Sequence, residues 1–241
     1  MHERGGEPIG LWVGGEGDLR QAAATAVAVV GSRAATGYGL EQACNLARDL
    51  ASMGQTIISG AAYGIDQAAH RGALIAGGTT IAVLPCGADR AHPAAHAQLL
   101  DTIAQRGLVV SEGPPGMAPT RTRFLARSRI VAGLAAGTVV VEGAVRSGAL
   151  HMARWATNLH PPIMGVPGSV SSPAYAGVHQ LIRLGEAIMV TNAQEILNDL
   201  TSQPATAGSA QVNASYVPRP VRHPPAPAGT AARATRSAPG R

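Results

Sequence analysis

With 241 residues, 46% of them hydrophobic and only 3% aromatic, the chain can bury a sizeable core but must build it from Ala, Val, Leu and Ile. No apolar run reaches the ~18–20 residues of a membrane span, and the start, with Glu3, Arg4 and Glu7, lacks a signal-peptide core, so no membrane association and a cytoplasmic location are expected. The net charge of +5 resides in the tail from Thr201 to Arg241, whose arginines face no acid, so a binding surface on residues 1–200 has to come from local clustering.

Along the chain, short apolar runs alternate with helical patterns. Val27 to Val30 is a continuous apolar run, read as a buried strand, and it ends in Gly31-Ser32-Arg33. Leu40, Ala43, Cys44, Ala47, Leu50 and Ala51 then follow a helical period that Gly54 closes. Thr56 to Ser59 form the second strand, ending in Ser59-Gly60, and Asp66 is read as the N-cap of a helix running to Ala76. Thr80 to Leu84 and Leu108 to Ser111 are the third and fourth strands, separated by a helix bearing Leu99, Leu100, Ile103 and Ala104.

A proline-rich crossing from Gly113 to Pro119, followed by Arg121 and Arg123, leads into a helix that carries Arg127 and Arg129, so that four arginines surround the only phenylalanine, Phe124, at the helix start. Thr138 to Glu142 and Ile163 to Val166 follow as strands, with a helix between them from about Gly148 to Asn158. Ala187 to Val190 and a helix from Ala193 to Leu200 finish the pattern. Beyond Thr201 come seven prolines and no Leu, Ile or Phe, a composition expected to be disordered. The division expected is therefore an N-terminal extension over 1–22, a folded domain over 23–200 and a Pro/Ala/Arg-rich tail over 201–241.

Continuous β-branched runs separated by helices predict an α/β fold, with a mostly parallel sheet and helices on both faces. Ligands of such sheets bind at the carboxyl ends of the strands, where Gly31-Ser32-Arg33, Ser59-Gly60, Ser111-Glu112 and Glu142-Gly143 all fall. Small residues there let backbone N–H groups approach an anion, and Arg33 adds a guanidinium. Four arginines around one aromatic ring add phosphate pairing and a stacking face, which together point to single-stranded nucleic acid.

Several residues carry two readings. Phe124 is a base-stacking platform or a plug at the helix start. Arg127 and Arg129, two positions apart on a helix, cannot share a face, so one of them is expected to brace the loops. Ser147 and Gly148 open a helix and read as an N-cap first and an anion site second. His70 lies four residues after Asp66 with no third ligand nearby, so helix bracing is expected and no metal. Cys44 and Cys86 lack zinc or disulfide spacing and read as packing residues.

The ordered motifs resemble those of the DNA processing protein A family, DprA, also called Smf. They include Gly31-Ser32-Arg33 with Thr36 and Tyr38-Gly39, Ser59-Gly60 with Gly64-Ile65-Asp66, Ala69 to Leu74, Phe124 with Arg127 and Arg129-Ile130, Val141-Glu142, Ser147-Gly148 and Val166-Pro167-Gly168. The resemblance runs from about Pro8 to Leu200. It implies an extended Rossmann-like domain that binds single-stranded DNA without chemistry, protects it and loads the recombinase RecA during natural transformation, as a homodimer and with no cofactor. It also implies that Ser32, Arg33, Arg121 and Phe124 form the phosphate pocket.

The chain departs from that family at Tyr63, where an arginine is usual, at Leu125-Ala126, and at Ser128, Met152 and His179. These changes lower the charge and hydrogen-bonding capacity of the rim, so weaker affinity than is usual for the family is expected. Two alternatives stay open: a phosphoribohydrolase-like enzyme of the related Rossmann group, for which Glu142 is the available acid, and a nucleotide-binding sensor.

Overall fold

Five β-branched runs become buried strands laid side by side. In the computed structural model, which describes residues 8–145, 148 and 161–202, they are β2 (Ala26–Gly31), β3 (Thr56–Ser59), β4 (Thr80–Leu84), β5 (Leu108–Ser111) and β6 (Gly137–Glu142). All pair in parallel, as do β7 (Ile163–Gly165) and β8 (Ile188–Met189) beyond β6. One further strand, β1 (Trp12–Gly15), runs antiparallel to β5 and closes the far edge, giving the order β1-β5-β4-β3-β2-β6-β7-β8.

Alternation along the strands splits the core into layers. Val27, Val29, Val139 and Val141 face α2 (Gly37–Ser52), α3 (Ile65–Ile75) and α7 (Ala193–Ser202), whose Leu46, Leu50, Ala69 and Ile196 complete that layer. On the same side, α4 (Ala97–Arg106) sets Leu100 and Ile103 on Ala82, Leu84 and Val109. Ala28, Val30, Val83, Val110 and Val140 face the other way, toward α1 (Leu19–Ala24), α5 (Arg121–Leu134) and α6 (Ala176–Arg183). A sheet covered on both faces explains why its strands read as unbroken apolar runs. The expected α/β architecture is the one observed.

The differences from the sequence reading are local. Helix α5 begins at Arg121 behind its Thr120 cap, so Arg121 and Arg123 lie in its first turn and not in the crossing before it. Helix α3 begins at Ile65 with Gly64 as its N-cap at φ 76°, where the carbonyls of Ser32 and Arg33 leave no room for a β-carbon; Asp66 is not the cap, its carboxylate accepting the Ala62 N–H at 3.3 Å. Asp66 sits in the first turn and is buried. Leu40, expected on the inner face of α2, is 39% exposed. Strand β1 and helices α1 and α6 were not expected. β1 ends in Gly14-Gly15, and α6 holds Gly177 and opens three residues after Pro173, so neither segment announces its period. Ser147, Met152 and Trp155, the remainder of the helix expected from Gly148 to Asn158, and the tail beyond Ser202 lie outside the described residues.

Chain order reverses between β2 and β6, because β3 to β5 lie on one side of β2 and β6 to β8 on the other. The loops leaving β2 and β6 therefore diverge, and the crevice between them is where ligands of doubly wound sheets bind.

Candidate nucleic-acid interface

A cavity of about 750 Å³ opens at that crevice. The loop after β2 contributes Gly31 to Ala34, and the start of α5 contributes Thr120, Arg121, Phe124, Leu125, Arg127 and Ser128. Asp66 lines it from α3 and His92 from the loop after β4, and Gly148 completes the rim. Three guanidiniums thus face one carboxylate.

Arg33 and Arg121, drawn from segments 88 positions apart, line this one space and are both exposed. Among the described residues neither makes an ion pair. Arg33 instead lays its guanidinium over the Phe124 ring, 4.6 Å from the centroid. The same ring lies 5.4 Å from the Arg127 guanidinium and meets His92 edge-on at 5.3 Å. Phe124 is therefore engaged by side chains of its own chain, seating guanidiniums and not offering a bare stacking face. Thr120 caps α5 by accepting the Arg123 N–H at 3.3 Å, so the positive end of that helix opens on the cavity.

Arg127 has a different role. It is 7% exposed and donates to the backbone carbonyls of Gly60 and, at 3.1 Å, Val83, while its guanidinium lies 3.6 Å from the Asp66 carboxylate. Burial raises the Asp66 pKa, and the Arg127 charge and the Ala62 N–H oppose that rise. Ser59 and Gly60 serve this brace: both are buried, the Ser59 hydroxyl donates to the Val29 carbonyl at 2.8 Å, and neither lines the cavity.

The remaining arginines of α5 point elsewhere. Arg129 pairs with Glu112, and Arg123 donates to the Ala118 carbonyl and lines a separate cavity of about 220 Å³. Ser147 lies outside the described residues.

The second loop is held under strain. Ala61 takes φ 55°, a left-handed conformation costly for a residue with a β-carbon, and its carbonyl accepts a hydrogen bond from His96 Nδ1 at 3.0 Å. His70 braces α3 against β4 as expected. The Thr80 hydroxyl donates to the Ile57 carbonyl at 2.7 Å, so His70 Nδ1 is the donor across its 2.7 Å contact with Thr80. Buried, the imidazole has its pKa pushed down to about 3 and stays neutral. Among the described residues no cluster of three or more His, Cys, Asp or Glu could hold a metal ion. No described helix is long and apolar enough to cross a membrane.

Sequence reasoning missed His92, which touches Phe124 and lines the cavity. No periodicity marks it, because it lies in an irregular loop. Glu142, the acid of the enzymatic alternative, is fully buried on Thr36 and Tyr175 and does not line the cavity.

Residues 1–201 match the family model for DNA recombination-mediator protein A. The chain belongs to this family. A Mycobacterium tuberculosis protein bearing the name DNA processing protein DprA is 49% identical over 193 residues, which cover 80% of this chain and 49% of that protein. The X-ray structure of DNA processing protein A from Streptococcus pneumoniae superposes with a TM-score of 0.74 at 38% identity, covering 79% of this chain and 66% of that one. The Helicobacter pylori protein, solved in work on its single-stranded DNA binding mode, gives 0.71 at 31% identity, covering 80% and 87%. The chain thus spans about half the length of the Mycobacterium relative.

Proposed function

We propose that this DprA-family chain binds single-stranded DNA in the cavity between the β2 loop and α5, without catalysing a reaction. Arg33 and Arg121 would grip backbone phosphates, assisted by the Ser32 loop and the capped start of α5. The observation that carries this reading is that these two arginines, unpaired among the described residues, line one cavity at the topological switch point. The binding mode named for the Helicobacter pylori relative supports the same ligand. By extension from the family, the bound strand would be protected and passed to RecA during transformation, in the cytoplasm, by a homodimer. Glu142 lies outside the cavity, which disfavours the phosphoribohydrolase alternative.

The test is binding to labelled oligo-dT, single-stranded against duplex, across a salt titration. Each phosphate neutralised contributes about −0.7 to the slope of log affinity against log salt. Arg33→Glu and Arg121→Glu are expected to abolish most binding and flatten that slope, whereas parent-like binding by both variants overturns the assignment. A thermal shift given by mononucleotides and not by the oligonucleotide would favour the sensor alternative instead.

A further inference from the structure

Glu142 closes β6 with a carboxylate that is 0% exposed, and its hydrogen-bond partners are all neutral. A buried carboxylate without a cation is costly unless hydrogen bonds hold its charge. Here Oε2 accepts from the Thr36 backbone N–H at 3.1 Å, the Thr36 hydroxyl at 2.7 Å and the Tyr175 hydroxyl at 3.0 Å. Oε1 shares the Thr36 N–H at 3.3 Å. The backbone carbonyl of the same residue accepts the Ser32 N–H at 2.8 Å.

The consequence is geometric. The segment from Ser32 to Thr36 is fastened at both ends to one residue, 106 positions from Thr36, and Arg33 lies between the fastenings. The surroundings are cut to admit this clamp. A β-carbon on Gly39 would strike Glu142 Oε2, and one on Gly31 would come within 2.8 Å of the Glu142 carbonyl. The Ile65 N–H donates to the Ser32 carbonyl at 3.1 Å and steadies the third side. Tyr175 is itself fixed: it is 2% exposed, lies edge-on to Tyr38 at 5.9 Å, and covers Gly168 where no β-carbon fits.

We infer that Glu142 and Tyr175 are positioning residues for ligand binding. They hold the loop so that Arg33 is already aimed into the cavity when a phosphate arrives. Neither lines that cavity, so they act through Arg33. A loop ordered beforehand does not have to be ordered on binding, and that difference appears as affinity. This inference rests on the reading of the cavity as a single-stranded DNA site.

The experiment is a double-mutant cycle on the full chain with labelled oligo-dT. Glu142→Gln nearly keeps the shape but sets an amide donor against the donors of Thr36, and Tyr175→Phe removes one hydroxyl. Affinity is expected to fall about tenfold in E142Q and less in Y175F, with the salt slope flattened toward that of R33A. The double variants R33A/E142Q and R33A/Y175F are expected to bind as R33A does, because the effect passes through an arginine already removed. Should E142Q fail to fold, Y175F alone carries the cycle. The inference is overturned if both single variants bind as the parent does while R33A is weakened, or if the losses simply add. Undiminished binding by R33A itself also overturns the inference, and the DNA-site reading falls with it only if Arg121→Glu binds as the parent does too.

Discussion

Gly60 approaches the Arg127 guanidinium so closely that a β-carbon at position 60 would clash with it. That contact fixes the loop after β3 to the helix that carries Phe124, and it explains the glycine without reference to a ligand. Gly60→Ala is therefore expected to lower stability by about 1–3 kcal/mol through overpacking. Arg127→Ala is expected to cost about 3–5 kcal/mol, because it strands a buried carboxylate on Asp66. Urea unfolding measures both. The Arg127→Ala penalty should grow as the pH rises, since burial raises the Asp66 pKa and the stranded carboxyl can take a proton at lower pH.

Arg129 offers the contrasting case. Its ion pair with Glu112 is partly exposed and lies outside the main cavity. Arg129→Ala should leave the affinity for oligo-dT and its salt slope as in the parent, with a stability change of about 1 kcal/mol or less. A slope reduced by about 0.7, as for a lost phosphate contact, would place Arg129 in the binding surface after all.

Phe124 seats the Arg33 guanidinium, and a half-exposed cation–π contact of this kind is worth about 0.5–1 kcal/mol. Phe124→Leu should then weaken oligonucleotide binding roughly two- to fivefold at nearly unchanged stability, whereas Phe124→Tyr should bind normally. A large loss of thermal stability in the leucine variant would instead identify the ring as a core plug.

His70 links stability to pH. Its pKa falls from an ordinary 6.5 to about 3 on folding, so between those values the unfolded chain binds one more proton than the folded one. The contribution of the neutral imidazole is complete above pH 6.5 and is lost as the pH falls toward about 3, with a slope of up to about 1.4 kcal/mol per pH unit. Comparing urea midpoints of the parent and His70→Leu across that range should show the variant losing less stability on acidification. Parallel curves would rule out His70 as the source.

The sheet was readable because its signals are local. Five central strands carry unbroken apolar runs, and four of them end in Gly, Ser or Glu where the chain turns at the carboxyl rim, β4 ending instead in Leu84. Parallel strands buried on both faces need no partner to reveal them. Strand β1 escaped because an edge strand of four residues ending in two glycines carries neither a period nor a continuous run.

The site was only half readable. Its membership in one rim followed from strand order, and Gly31-Ser32-Arg33 and the Phe124 segment are visible in the residues themselves. The division of labour among Arg121, Arg123, Arg127 and Arg129 is not, because they sit within nine residues of one helix yet meet entirely different neighbours.

Local residue patterns suffice for an α/β sheet with basic loops at its carboxyl edge, since hydrophobic runs and turn residues act over a few positions. Which charges remain available to a ligand is settled by packing in the folded chain. Burial beneath Gly60 and Val83 consumes Arg127, and Glu112 pairs with Arg129. Glu142 pins the Arg33 loop from 106 positions beyond Thr36. Such pairings are fixed by packing between distant segments, and no local pattern of residues records them.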